Sequence, residues 1–367
     1  VHLYVHIPFC QRRCSYCDFS IAVRKRIPAR EFVDVILKES RGASFGELDT
    51  IYFGGGTPSL LPPEAISAIL TALTSRRRTP HADASPEITL EANPEDVTPG
   101  NAKAWRAAGI NRVSLGAQSF DDGVLEWMHR SHDAARIGAA VHALRGVGIE
   151  NISLDLIFAL PDELKRDWDR DLDMALALRP THLSLYGLTV EPRTPLDRWI
   201  SRGATRPPDE DRYVDEYLFA HERLSVFGYQ FYEVSNAALS GYRSRHNSAY
   251  WSGRPYTGLG PAAHSFDGRT RRWNLRAWES YRRAVTEGRS VVESEETLTP
   301  QQRELERVYL ALRTSEGLPL TAPYRPLPPH VAAGWVRIEH GTLQCTPEGW
   351  LRLDSLVNEL TMQTETQ

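Results

Sequence analysis

At 367 residues, 41% hydrophobic and 25% charged, the chain has an ordinary globular composition and is long enough for one large domain with smaller appendages. Its formal net charge of -4 argues against a general nucleic-acid binder, which needs a basic face. No apolar stretch is long enough to cross a bilayer and no signal peptide leads the chain, so its cysteines are expected as thiols in the reducing cytoplasm.

The chain begins with a short apolar run, Leu3 to Ile7, that reads as a strand, and behind it stand Cys10, Cys14 and Cys17 in CQRRCSYC. Three soft thiolates in one loop suit three irons of a [4Fe-4S] cluster and leave the fourth iron open to an outside ligand. A structural zinc site or an electron-transfer cluster normally closes its shell with four protein donors. A zinc knot would have to recruit His6 across Ile7 and Pro8, and the usual zinc pattern pairs two C-x2-C elements. Cys345, in an expected hairpin near the far end, reads as a core residue.

Five further apolar runs follow: Ile51 to Phe53, Ile88 to Leu90, Arg112 to Leu115, Ile152 to Leu156 and His182 to Leu185. Between them Ile66, Ile69, Leu70 and Leu73 fall at helical spacing, as do Ile137, Ala140, Val141 and Leu144. Pro62 and Pro63 suit a helix start, Gly146 and Gly148 a stop, and Arg76, Arg77 and Arg78 the cation-favouring end of a helix. Alternating strand and helix predict a parallel sheet with right-handed crossovers, curled into a barrel or partial barrel.

In such barrels the chemistry gathers at the C-terminal strand ends. There the chain puts its three cysteines, the Gly54 to Pro58 turn, Glu91, Gln118, Asp155 and the Tyr186-Gly187 pair. Taken alone, GGGTP fits a tight strand-to-helix turn as well as a ligand cradle.

From about Ser201 to Ser294 the alternation decays into an aromatic-rich segment. A third unit then starts with a helix bearing Leu305, Val308, Tyr309 and Leu312, continues as a hairpin turning at His340-Gly341, and ends in a helix opened by Pro347 and carrying Leu351, Leu356 and Leu360. The expected units are therefore 1–200, 201–294 and 295–367. The last would be a small winged-helix-like domain, trimmed where the proline-rich Thr321 to His330 stretch leaves little room for helices.

The spacing Cys-x3-Cys-x2-Cys resembles the radical S-adenosylmethionine superfamily signature. LYVHIPFCQRRCSYCDF is similar to the branch that holds oxygen-independent coproporphyrinogen dehydrogenase and the HemW heme chaperones. The resemblance implies a partial parallel (β/α)6 barrel, a [4Fe-4S] cluster on Cys10, Cys14 and Cys17, and S-adenosylmethionine on the open iron. By the same resemblance Gly55, Gly56 and Thr57 of GGGTPS receive its amino group, while Glu91 of LEANPED and Arg130 of LEWMHRSH hold its ammonium and carboxylate. Gln118 of SLGAQSFDD and Asp155 of SLDLIFALP would bond the ribose hydroxyls, and Tyr4 and Tyr16 would offer apolar faces. A structural salt bridge between Glu91 and Arg130 is the competing expectation for those two residues.

Downstream, HNSAYW matches the HNxxYW heme-binding motif of the HemW heme chaperones. The match implies His246 as an axial donor to heme iron, with tyrosine and tryptophan rings packed on the macrocycle. Arg243 and Arg245 stand near enough in sequence to pair with propionates, and His264 is a further available donor.

Two functions follow from the resemblance: a heme chaperone, or a coproporphyrinogen III dehydrogenase using a deoxyadenosyl radical. The dehydrogenase extends its signature to a fourth cysteine, where this chain has Phe19, and carries a longer arm before the cluster. The chaperone reading implies heme as ligand and a heme-acceptor protein as partner, a membrane-bound respiratory enzyme being one candidate. The oligomeric state is not legible in the pattern.

Overall fold

The computed structural model describes residues 1–41, 45–75, 85–321, 324–325 and 328–365, with residues 363–365 described by backbone alone. The Arg76 to Arg78 run lies outside the described residues, as do parts of the proline-rich stretch. The six expected strands form, each extended by a residue or more: β1 His2–Ile7, β2 Thr50–Gly55, β3 Glu87–Ala92, β4 Arg112–Gln118, β5 Asn151–Phe158 and β6 His182–Gly187. They pair in chain order, each parallel to the next. The helices Pro63–Thr74 and Ala134–Arg145 start and stop near the expected punctuation.

The strands are apolar on one face only. Leu3, Val5, Ile7, Ile51, Phe53, Leu90, Val113, Leu115, Leu154, Leu156, Leu183 and Leu185 all join the main core, packed against the crossover helices. The alternate positions turn to the concave inner face and bond across it, as in His2 to Thr50 at 3.0 Å, Tyr52 to Glu91 at 2.8 Å, Ser114 to Asp155 at 3.0 Å and Ser153 to His182 at 2.8 Å. A buried parallel strand is usually apolar on both faces; this barrel has a polar lining, which keeps its interior available for chemistry.

The 201–294 segment adds strands to both edges of the same sheet. β7 Gln230–Glu233 and β8 Asn236–Ala238 continue it antiparallel beyond β6. On the other edge β9 Tyr256–Leu259 runs parallel to β1, followed by antiparallel β10 His264–Phe266, β11 Thr270–Asn274 and β12 Val292–Thr297. The order is β12-β11-β10-β9-β1-β2-β3-β4-β5-β6-β8-β7. Its two ends do not pair among the described residues, so the barrel stays open.

Glu39, at the end of the helix Ala29–Ser40, pins this extension to the barrel. Its carboxylate accepts from Gly260 N and Asn274 Nδ2, each at 2.8 Å, and from the Tyr281 hydroxyl. Burial pushes its carboxyl up to about 7. Glu39→Ala strands three donors and is expected to lower stability by about 2–3 kcal/mol in urea unfolding. A loss under ~0.5 kcal/mol would make the contact incidental.

The C-terminal part opens with the helix Pro300–Arg313, capped by Thr299 and Gln302. Of its four expected apolar residues Val308 and Leu312 are buried, whereas Leu305 is 45% exposed. The strands Val336–Glu339 and Thr342–Cys345 pair antiparallel around His340 and Gly341, both at positive φ, as a two-residue hairpin requires. The single helix expected after Pro347 is divided into Pro347–Trp350 and Leu353–Glu365. Cys345 is a core residue, 6% exposed.

Candidate functional site

The C-terminal strand ends surround a cavity of about 430 Å³. Cys10, Cys14 and Cys17 all line it. Their loop is held by backbone bonds from Ser15 to Met128 O at 3.2 Å, from Leu196 to Ser15 O at 2.9 Å and from Arg24 to Cys10 O at 2.9 Å. Thr57 Oγ1 donates to Cys10 Sγ at 3.4 Å and Arg130 to Cys14 Sγ at 3.5 Å. Among the described residues no three His, Cys, Asp or Glu side chains close on a single metal ion. The three thiols share the wall of one cavity.

The glycine turn packs directly behind this loop. Gly56 N donates to Ile7 O at 2.8 Å and Thr57 N to Phe9 O at 2.9 Å. A Cβ on Gly56 would stand 2.7 Å from Phe9 O and 3.0 Å from Cys10 Sγ, and Gly55 takes φ +115. Both positions therefore demand glycine for close backbone approach.

Glu91 is held by the Tyr52 hydroxyl at 2.8 Å and by Gly55 N at 3.0 Å. Burial pushes its carboxyl up to about 7. Arg130 donates to Asn93 Oδ1 at 2.7 Å and Gly116 O at 3.0 Å. It makes no salt bridge with Glu91, so the competing expectation of a structural pair does not hold: the strand ends hold the two charges on separate partners. Arg130 keeps one further donor, Nε, buried without a partner. Despite burial its pKa is raised, because the Tyr16 hydroxyl and Cys14 stand beside it.

Gln118 lies at a bulge in β4, where pairing with β5 shifts register, and takes φ 67. A non-glycine residue in the left-handed region is costly and marks a position fixed by its surroundings. Asp155 accepts from Ser114 and Ser153, and burial raises its pKa. Gln118, Asp155, Glu91, Arg130, Tyr16 and the Gly55 to Thr57 turn all line the cavity.

Two expected residues stand elsewhere. Tyr4 does not line this cavity; it sits deeper on the inner face, stacked on Tyr52 at 6.1 Å with its hydroxyl 3.1 Å from His6 Nδ1. Strand alternation puts Tyr4 on the concave side, but His6 stands between it and the rim. His246 lies on the helix Arg245–Trp251 at the opposite, N-terminal ends of the strands, and is 1% exposed. Its Nδ1 is 2.6 Å from Thr50 Oγ1 and its Nε2 2.7 Å from the Tyr250 hydroxyl, while Glu87 accepts from its backbone N–H at 3.0 Å. His246 is thus buried with both ring nitrogens hydrogen-bonded in this conformation.

Sequence reasoning missed Asn93, Ser114, Glu95 and Asp96, which also line the cavity. Asn93 and Glu95 follow Glu91 within LEANPED, so the motif that marks one residue marked the others. Ser114 stands two before Gly116 on the inner face, a position visible only once the strand's polar side is known to face the site.

A six-stranded parallel partial barrel with three cysteines on its rim defines the radical SAM class. The radical SAM superfamily model matches residues 4–175. The heme chaperone HemW of Synechocystis sp. is 37% identical over 332 residues, 86% of this chain and 78% of that protein. HemW of Mycobacterium tuberculosis H37Rv is 35% identical over 373 residues, 98% and 94% of the two chains, and HemW of Escherichia coli K12 is 38% identical over 270 residues, 71% and 69%. The solved structure of E. coli coproporphyrinogen III oxidase HemN, a radical SAM enzyme, superposes with a TM-score of 0.79 at 22% identity, over 99% of this chain and 89% of that one. That likeness shows the fold. The chain belongs to the HemW heme chaperone family of the radical SAM superfamily, a membership that implies a [4Fe-4S] cluster and S-adenosylmethionine.

Proposed function

We propose that this protein is a cytoplasmic heme chaperone that binds heme and passes it to an acceptor protein, with a membrane-bound respiratory enzyme as one candidate. The observation that carries the reading is the likeness, over nearly the whole chain, to proteins named heme chaperone HemW. Cys10, Cys14 and Cys17 would hold the cluster, which supplies one-electron chemistry when bound. Glu91 and Arg130 would meet the amino and carboxylate groups of S-adenosylmethionine, with the Gly55 to Thr57 turn beneath the amino end and Gln118 and Asp155 toward the ribose. The free thiols need a reducing compartment to remain so. No helix among the described residues is long and apolar enough to cross a membrane.

Within HNSAYW the roles divide. Tyr250 and Trp251 line a cleft, while His246 holds the Tyr250 hydroxyl and so acts as a positioning residue. Phe19, where the dehydrogenase signature has its fourth cysteine, is 60% exposed at the cavity mouth, and this favours the chaperone over the enzyme.

The reconstituted, anaerobic protein is expected to bind hemin with about one equivalent at micromolar or better affinity. Given S-adenosylmethionine and a low-potential reductant, it is expected not to turn coproporphyrinogen III into protoporphyrinogen IX, as read by porphyrin chromatography. Multiple turnovers would establish the dehydrogenase instead, and absence of hemin binding would remove the chaperone reading.

A further inference from the structure

Resting on the heme reading, we propose that heme seats in the cleft between the helix Arg245–Trp251 and the β10–β11 hairpin, with His264 as its axial ligand. The register builds the floor. His264 stands opposite Trp273 and Phe266 opposite Arg271, so these four side chains share one face of the hairpin. Tyr256 of β9 pairs with Phe266 and continues that face toward the barrel. The rings are in contact: His264 stacks on Trp273 at 5.7 Å and 23°, Tyr256 lies 6.2 Å from Phe266, and Tyr250 meets Tyr256 edge-on at 4.6 Å.

Two cavities, of about 400 and 490 Å³, meet over this floor and share Tyr4, His6, Ala262 and His264 as walls. Each is of the size that holds a small-molecule ligand. The first opens beside Phe19 and Glu91, next to the cluster loop, and the second beside Tyr250, Trp251 and Arg254. His264 therefore stands where the two join.

The chemistry fits a flat, iron-bearing macrocycle with two carboxylates. Aromatic rings supply the apolar walls. Arg254 and Arg276, one on each cavity, make no ion pair among the described residues, and their guanidinium forks suit propionates. Arg271 lies over the Phe266 ring at 5.3 Å, already paired with Glu306. The His264 side chain makes no hydrogen bond or ion pair among the described residues, and the residue is exposed. It thus has what His246 lacks, an imidazole nitrogen that an iron can reach.

Hemin and iron-free protoporphyrin IX, titrated separately into the whole protein, separate iron ligation from ring binding. His264→Gly is expected to move the Soret maximum and weaken hemin binding about ten-fold or more, while protoporphyrin IX affinity changes less than about three-fold. Added imidazole is expected to restore the wild-type spectrum in that variant, an outcome that a merely misfolded variant would not give. Arg254→Glu is expected to weaken both porphyrins. His246→Ala, which withdraws a bond from Tyr250, is expected to weaken hemin binding without moving the Soret maximum. An unchanged spectrum and affinity in His264→Gly, or a Soret shift in His246→Ala alone, would overturn the assignment while leaving the chaperone reading intact. Failure of the wild type to bind hemin would strike the chaperone reading instead.

Discussion

Replacing Cys10, Cys14 and Cys17 together by alanine is expected to abolish iron and sulfide loading after anaerobic reconstitution, and Cys345→Ala to leave loading unchanged. The three thiols line one cavity, with Cys10 touched by Thr57 Oγ1 and Cys14 by Arg130. Cys345 lies in the hairpin strand opposite Val336 and does not line that cavity, so it has no place among the iron ligands. Each single replacement in the loop is expected to lose most of the cluster as well, because an iron would be left with water in place of thiolate. Iron and sulfide analysis with the visible absorption of the cluster reads the result. Full loading in the triple variant would move the cluster elsewhere. The backbone bonds that hold the loop to Met128 and Leu196 use no thiol, so the fold should survive the change.

The cluster loop was legible because its spacing carries the chemistry within eight residues, and the six parallel strands because each carries a short apolar run, several of them separated by helical periodicity. What the pattern concealed is non-local. β12, the strand Val292–Thr297, is exposed along almost its whole length and has no apolar face to announce it. It is made a strand by pairing with β11. Nothing near His246 in sequence reveals Thr50 and Glu87, which reach it from the barrel across 196 and 159 positions. The resemblance implies Tyr4 as an apolar face for the ligand, whereas each strand residue climbs only about 3.3 Å and Tyr4 stands deeper in the barrel, stacked on Tyr52. Glu91 and Arg130 were both recognised, yet their separate partners, Tyr52 and Asn93, depend on strand order and could not be read from either motif.

Those separate partners set up the last expectation, that Glu91→Gln weakens S-adenosylmethionine binding about ten-fold to a hundred-fold while the cluster assembles normally. The substitution keeps the size of the side chain: its carbonyl oxygen can accept from Gly55 N and its amide NH2 can donate to the Tyr52 hydroxyl, so the fold is not asked to absorb a cavity. It removes the charge that an ammonium group would meet. The wild type carries a pH signature that the variant should lack. Burial pushes the Glu91 carboxyl up to about 7, so below that pH the free protein holds the proton and a cationic ligand must displace it. Affinity is therefore expected to rise several-fold between about pH 6 and about pH 7.5 and then to level off. In Glu91→Gln that slope disappears, since no proton leaves. Arg130→Ala removes the partner of the ligand's carboxylate and is expected to weaken binding to a similar extent, with the pH slope of Glu91 retained. Calorimetric titration of the reconstituted protein at both pH values checks all three. Unchanged affinity in both variants would leave Glu91 and Arg130 as barrel scaffolding, and a pH slope that persists in Glu91→Gln would assign the titration to another group in the cavity.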